Sequence, residues 1–325
     1  MRAFVTGATG FIGSHLADSL LNDPGVNEVR CLVRDRLKWL EGKGCTIVRG
    51  DLHSIPELIE GTEGCDILFH LAGVVKARTE REFELGNIDG TENLLRIARR
   101  NGIRKVVILS SLAAAGPAIN GTPRRESDPM EPVSMYGRSK LKMEERVHSI
   151  TADKLDVTIL RPPAVYGPRE DQIFLFFQMM NRRICPIIGD GDRPRISLIH
   201  VFDLIRAIRL AGESKSTGVN TYFVSGPGDV SWNEIKNYTS RALGKKPITL
   251  YVRPAWVRRV AALAEKAGNL AGFWPALNRE KAAEIVLEWT CNDNNIRSEL
   301  GYEAGISLES GIAETMQWYR EQNWL

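Results

Sequence analysis

Apolar residues follow two rhythms along the first half of the chain. Short β-branched runs alternate with longer stretches whose apolar positions recur at helical spacing. Ala3 to Thr6, Glu28 to Val33, Cys45 to Arg49, Asp66 to His70, Lys105 to Ser110 and Asp156 to Leu160 read as strands. Phe11 to Leu21, Phe83 to Arg100 and Tyr136 to Ile150 read as helices. This alternation predicts an α/β fold: βαβ units, a doubly wound parallel sheet with right-handed crossovers, and a ligand crevice at the carboxyl ends of the strands.

Beyond Leu160 the rhythm breaks. Pro162, Pro163, Pro168, Pro186 and Pro194 divide the chain into loops and short elements. A strand-helix return is expected at Ile196 to Ala211 and another strand at Thr221 to Val224, and Trp232 to Leu325 reads as mainly helical. The first domain therefore spans residues 1–168 with a return segment at about 196–225, and a smaller, mainly helical domain takes 169–195 and 226–325. In that second domain Trp256, Val257, Val260, Leu263, Ala264 and Ala267 form one stripe at helical spacing, with Arg258, Arg259 and Lys266 off it. The stripe is expected to face the core. A lid over an apolar substrate, or a membrane-surface contact, are the alternatives, to which Phe273, Trp274 and Trp289 could add.

Composition narrows the function classes. A net charge of +3 over 325 residues makes no basic field of the kind that nucleic-acid binding needs. The five cysteines, Cys31, Cys45, Cys65, Cys185 and Cys291, lack metal-ligand spacing, so no metal site is expected. Scattered and odd in number, they read as free thiols of a cytoplasmic protein. No secretory signal pattern and no membrane-spanning apolar run are apparent.

The chemistry begins at Thr6-Gly7-Ala8-Thr9-Gly10-Phe11-Ile12-Gly13, which joins the first strand to the first helix. Gly7 permits a tight turn, Gly10 lets the backbone approach a pyrophosphate, and Gly13 lets the helix pack close to the strand. The helix N-terminus then presents unpaired N–H groups and a positive dipole end to phosphates. Thr6, Gly7, Thr9, Gly10, Phe11, Ile12 and Gly13 are cofactor-binding candidates on this ground. The run resembles the cofactor fingerprint of the extended short-chain dehydrogenases/reductases, the NAD-dependent epimerase/dehydratase superfamily, over roughly the first 210 residues. The resemblance implies a Rossmann-type first domain that binds a dinucleotide.

The end of the second strand bears on which dinucleotide. A ribose 2′-OH wants an acid there and a 2′-phosphate wants a cation. Val33 takes the acid's place and Arg34 follows, a pattern similar to that of dihydroflavonol-type reductases, which use NADP(H). NADP(H) is therefore favoured, with Asp35 leaving NAD(H) open. The resemblance further implies that Asp51 accepts a hydrogen bond from the adenine amino group beside Leu52, although such an Asp equally caps a helix. It implies that Leu71-Ala72-Gly73 is a small-residue step beneath the cofactor, and that Asn87 meets the cofactor or Lys140. His70 reads as a packed strand-end residue.

Tyr136 and Lys140, four residues apart on a helix, share one face. A nearby ammonium is expected to lower the phenol pKa so that Tyr136 can serve as general acid and base. In the family resemblance the second serine of Leu109-Ser110-Ser111 is catalytic, which selects Ser111, with Ser110 one residue away as competitor. Lys140 would also bond the nicotinamide ribose.

The loop Pro162-Pro163-Ala164-Val165-Tyr166-Gly167-Pro168 has Ala164 where nucleotide-sugar epimerases usually carry Asn. It resembles 3β-hydroxysteroid dehydrogenases more closely, and implies Pro163 and Val165 as cofactor contacts. Ala164, Ser111 and Arg195 are substrate-binding candidates, Arg195 through an anionic group or otherwise as a surface charge. Ser111 leads into Leu112 without the acidic pair of dehydratases. The sequence thus predicts an NADP(H)-dependent oxidoreductase of a fairly apolar small-molecule carbonyl compound or alcohol. A nucleotide-sugar epimerase/dehydratase with NAD, and a non-catalytic dinucleotide sensor, are the alternatives. The resemblance implies a homodimer through the helices at Phe83 to Arg100 and Tyr136 to Ile150.

Overall fold

The computed structural model describes residues 1–151, 155–271 and 278–325. In chain order the strands are β1 (Arg2–Thr6), β2 (Glu28–Val33), β3 (Thr46–Arg49), β4 (Ile67–His70), β5 (Lys105–Leu109), β6 (Asp156–Arg161), β7 (Ala164–Tyr166), β8 (Ile184–Ile188), β9 (Ile196–His200), β10 (Val219–Phe223), β11 (Asp229–Val230) and β12 (Ile248–Val252). The helices are α1 (Phe11–Leu21), α2 (Ile55–Thr62), α3 (Glu80–Phe83), α4 (Gly90–Arg100), α5 (Leu112–Ala115), α6 (Met135–Thr151), α7 (Phe174–Asn181), α8 (Val201–Glu213), α9 (Trp232–Leu243), α10 (Pro254–Ala271), α11 (Arg279–Glu284), α12 (Asn294–Leu300) and α13 (Leu308–Glu321).

Seven strands form one parallel sheet in the order β10-β6-β5-β4-β1-β2-β3. Successive residues alternate faces. Ala3, Val5, Phe69, Val107 and Leu160 join Leu16 and Leu20 of α1 and Leu204 and Ile208 of α8 in one core layer. Phe4, Leu68, Val106 and Ile108 join Leu94 and Ala98 of α4 and Met143 and Val147 of α6 in the other. Cover on both faces is why these strands read as near-continuous apolar runs. The strand order reverses between β1 and β4, where Thr6 lies beside His70. The loops that follow these two strands part there and open a crevice.

Several expectations need correction. Phe83 to Arg100 is not one regular α-helix: between α3 and α4, Glu84–Asp89 takes a π-helical course. The wider turn buries Asn87, which hydrogen-bonds the Val74 backbone in both directions. The strand of the expected return, β9, pairs with β7 and β11 instead of the main sheet, which β10 completes. Ile184–Ile188 and Ile248–Val252 form a parallel pair that periodicity did not reveal, with Pro186 opposite Leu250. A two-stranded ribbon has open edges, where a proline's missing N–H is tolerated. The α10 stripe is not uniformly core: Val257 is buried, but Trp256, Val260 and Leu263 are 56, 50 and 69% exposed. Phe273 and Trp274 lie outside the described residues, and half-buried Trp289 packs with Leu112, Phe223 and Cys291. All five cysteines are free thiols. Among the described residues no helix is long and apolar enough to cross a membrane.

Candidate active site

The glycine turn sits at the sheet's reversal point. Gly7 has φ +75°, and a Cβ there would lie 2.6 Å from the Ala72 nitrogen. A Cβ on Gly13 would lie 2.2 Å from the Gly7 carbonyl oxygen. Neither position admits a side chain, because the obstacle is backbone that cannot swing aside. Gly10 is exposed and caps α1 without a side-chain bond, and the first turn of α1 carries no acid. The N–H groups of Phe11, Ile12 and Gly13 therefore face a turn with no competing anion, the arrangement that suits a diphosphate. Thr9, Phe11 and Ile12 are half-buried around it.

Thr6 and His70 lock the two strand ends together. Thr91 donates to the Asn87 carbonyl at 2.7 Å, so at its 2.8 Å contact with His70 Nε2 it is the acceptor. His70 thus carries its proton on Nε2, and Thr6 Oγ1 donates to Nδ1 at 2.7 Å while accepting from the Ala72 N–H at 3.2 Å. Burial lowers the His70 pKa to about 3, with Lys140 acting the same way, so the ring is neutral and structural. Leu71, Ala72 and Gly73 continue from this lock. A Cβ on Gly73 would meet Asn87 Oδ1 at 3.1 Å and Lys140 Nζ at 3.2 Å, so glycine there keeps room beside the ammonium.

Helix α6 carries Tyr136 and Lys140 to the same end of the sheet. It approaches α5 closely because Gly137 has no side chain: a Cβ would lie 2.4 Å from the Ala113 carbonyl oxygen. Ser111 caps α5, its hydroxyl accepting from the Ala113 N–H at 3.1 Å, and stands close enough to the Tyr136 phenol to act on its pKa. Ser110 turns the other way, its hydroxyl donating to the buried Glu144 carboxylate that pairs with Arg161 at 2.6 Å. Of the two serines, Ser111 is the one beside the phenol.

Lys140 is 4% exposed and donates to the Leu109 carbonyl at 2.9 Å. Burial lowers its pKa to about 8, with Glu144 drawing it partly back up. Tyr136 moves opposite to the expected direction: burial raises the phenol to about 12, and the Ser111 hydroxyl opposes this. Desolvation of the phenolate sets the direction, and the Lys140 ammonium is directed at the Leu109 carbonyl instead. At neutral pH the phenol keeps its proton and the lysine its charge, a state poised to donate a proton to an oxygen that gains charge.

The outlying candidates divide. Arg34 projects from the end of β2 at 76% side-chain exposure, paired among the described residues with the equally open Asp35 at 3.1 Å. Asp51 accepts from the His53 N–H at 2.8 Å and the Ser54 hydroxyl at 3.2 Å on one carboxylate oxygen, which keeps its pKa low. The Leu52 carbonyl accepts from Asn93 at 3.2 Å. Asn87 donates to Ser139 at 2.9 Å, fixing the π-helical turn on α6. Pro163 and Val165 are half-buried and Ala164 is exposed, next to Pro162, whose carbonyl accepts the Leu112 N–H at 2.8 Å and ties this loop to the Ser111 turn. Arg195 is engaged elsewhere, by the Asp229 carbonyl and, at 3.6 Å, by Glu234. His200 is buried, its ring against Tyr166 at 5.1 Å and Phe202 at 5.2 Å, and burial lowers its pKa to about 4.

Sequence reading missed three participants. Ser139 lies inside the Tyr-to-Lys segment and joins α6 to Asn87. Glu280 of α11 accepts the Met135 N–H at the start of α6, and Glu284 of the same helix acts on the Tyr136 phenol through its charge. No local pattern announces these two acids, because about 145 residues separate them from α6.

The geometry has parallels in known proteins. The family model described as "NAD dependent epimerase/dehydratase family" matches residues 3–225. Ceramide reductase of Caulobacter vibrioides is 28% identical over 326 residues, 99% of this chain and 95% of the relative. The 4-hydroxy-2-methyl-3-oxo-4-farnesyl-3,4-dihydroquinoline-1-oxide ketoreductase of Stigmatella aurantiaca is 29% identical over 331 residues, 96% of this chain and 95% of the relative. The solved structure of MoeE5 in complex with UDP-glucuronic acid and NAD superposes with a TM-score of 0.81 at 27% identity, covering 99% of this chain and all of that one.

Proposed function

Because this chain belongs to the NAD dependent epimerase/dehydratase family, we propose that it is an NADP(H)-dependent oxidoreductase that reduces an apolar ketone or aldehyde, or oxidises the matching alcohol. The observation that carries the reading is the buried Lys140 ammonium beside Gly73, one helical turn from Tyr136, at the end of the sheet where the glycine turn opens. The cradle fits a dinucleotide: the turn excludes side chains at Gly7 and Gly13 and leaves Gly10 open. When bound, the dinucleotide supplies or accepts a hydride at its nicotinamide ring. Ser111 holds the substrate oxygen, and Tyr136 gives that oxygen a proton. Lys140 would hold the nicotinamide ribose through its ammonium. Arg34, with its guanidinium in solvent, meets a 2′-phosphate.

Two features support an apolar substrate: Ala164 offers no polar group where a nucleotide-sugar enzyme would carry Asn, and the ceramide reductase and farnesyl-quinoline ketoreductase resemble the chain along nearly its whole length. The test is a screen for loss of reduced-nicotinamide absorbance with NADPH and NADH against long-chain ketones and against UDP-sugars. Net NADPH oxidation by an apolar carbonyl is expected. Tyr136→Phe should lower that rate about 1,000-fold while sparing NADPH binding. Interconversion of UDP-sugars without net cofactor consumption, or turnover that survives Tyr136→Phe, refutes the proposal.

A further inference from the structure

Helix α10 carries an apolar surface that nothing among the described residues covers. Its inner face is small: Val257 and Ala261 pack on Ala282 of α11, with Ile188, Val252 and Ile285 around them. Trp256, Val260 and Leu263 follow one another at helical spacing about a quarter-turn away from that face, and each is at least half exposed. Farther round the helix lie Arg259 and Lys266, and the Arg259 guanidinium rests 5.5 Å above the Trp256 ring. In β12, which precedes the helix, Ile248 and Leu250 are also largely exposed.

The charge pattern identifies what covers this surface. Between Lys245 and Ala271 there are six basic residues and one acid, whereas the whole chain nets only +3. Among the described residues no carboxylate pairs with Lys246, Arg253, Arg258, Arg259 or Lys266. The one acid, Glu265, accepts the Arg279 N–H at 2.9 Å. An apolar ridge flanked by unpaired cations is the pattern of a helix that lies in a bilayer interface, its ridge among the acyl chains and its long basic side chains at phosphate level. A second copy is a poor occupant, because two-fold pairing would set the same cations against each other.

We propose that α10 docks through its Trp256, Val260 and Leu263 ridge on the surface of an anionic lipid bilayer. This peripheral contact does not depend on the hydride-transfer reading. Helix α11 packs on the inner face of α10, and its Glu280 holds the N–H of Met135 next to Tyr136. The docking surface therefore lies one helix from the residue that precedes the phenol.

The test is sedimentation of the full chain with vesicles of phosphatidylcholine alone and of equal parts phosphatidylcholine and phosphatidylglycerol. Binding to the anionic vesicles is expected, weaker on the neutral ones and reduced by high salt. Leu263→Glu, and separately the pair Arg259→Gln and Lys266→Gln, should each lower the anionic-vesicle partition constant about tenfold or more. Both changes fall on exposed positions, so an unchanged melting temperature checks that the variants fold. Absence of vesicle binding, equal binding to neutral vesicles, or binding that survives both variants overturns the proposal. So does a dimer seen by light scattering that Leu263→Glu dissociates, in a protein that ignores vesicles.

Discussion

Replacing Lys140 by methionine should make the cofactor-free protein more stable while abolishing its activity. The ammonium is 4% exposed, and burial moves its pKa from 10.5 to about 8. A tenfold change in proton affinity is worth about 1.4 kcal/mol, so the charged lysine destabilises the fold by about 3 kcal/mol at neutral pH. Methionine removes that penalty but forfeits the ammonium's hydrogen bond to the Leu109 carbonyl, worth about 2 kcal/mol for a charged donor. The net gain expected at pH 7 is about 1 kcal/mol. The pH dependence identifies the source. Because the folded pKa lies below the unfolded one, the penalty is complete below pH 8 and fades as pH rises towards 10.5, where both states are neutral. Across that window the unfolded chain binds more protons, so the wild type gains up to about 1.4 kcal/mol per pH unit relative to the variant. Urea denaturation of both proteins without cofactor, at about pH 7, 8.5 and 10, measures the difference. The variant's advantage should shrink through the series and vanish or reverse at the alkaline end. A difference that stays constant with pH refutes the buried-ammonium account.

Two further substitutions probe the cofactor cradle. Arg34→Glu places an acid at the end of β2 in place of an exposed guanidinium, and should shift the ratio of NADPH to NADH affinities about tenfold or more towards NADH. An unchanged ratio in fluorescence titrations excludes Arg34 from 2′-phosphate recognition. Gly13→Ala would set a methyl group 2.2 Å from the Gly7 carbonyl oxygen, so the turn must open. Dinucleotide affinity should fall about 100-fold and the melting temperature should drop. Wild-type values for both contradict the close packing of α1 on the turn.

The glycine turn and helix α6 are joined through a few backbone and side-chain contacts. Thr6 and His70 join β1 to β4, and the turn that follows β4 brings Gly73 beneath Lys140. The π-helical segment brings Asn87 to the Val74 backbone and to Ser139 on α6. The buried Glu144–Arg161 pair anchors that helix from the far side of Ser110.

The glycine spacing, the pairing of Tyr136 with Lys140 and the alternation of strands with helices were legible because each is local. A turn depends on residues two or three apart, a helix face on residues four apart, and a strand's burial on its own apolar run. The sequence by itself therefore determined the sheet, the crevice and the face on which the catalytic candidates stand. Tertiary structure decided what depends on distant neighbours. It separated Ser111 from Ser110, since only contact with Glu144 shows which hydroxyl is already engaged. It reversed the direction expected for the Tyr136 pKa, since desolvation is a property of the packed site. It also turned most of the α10 stripe outward, because periodicity reveals that a helix has an apolar face but not how much apolar surface the rest of the chain supplies to cover it.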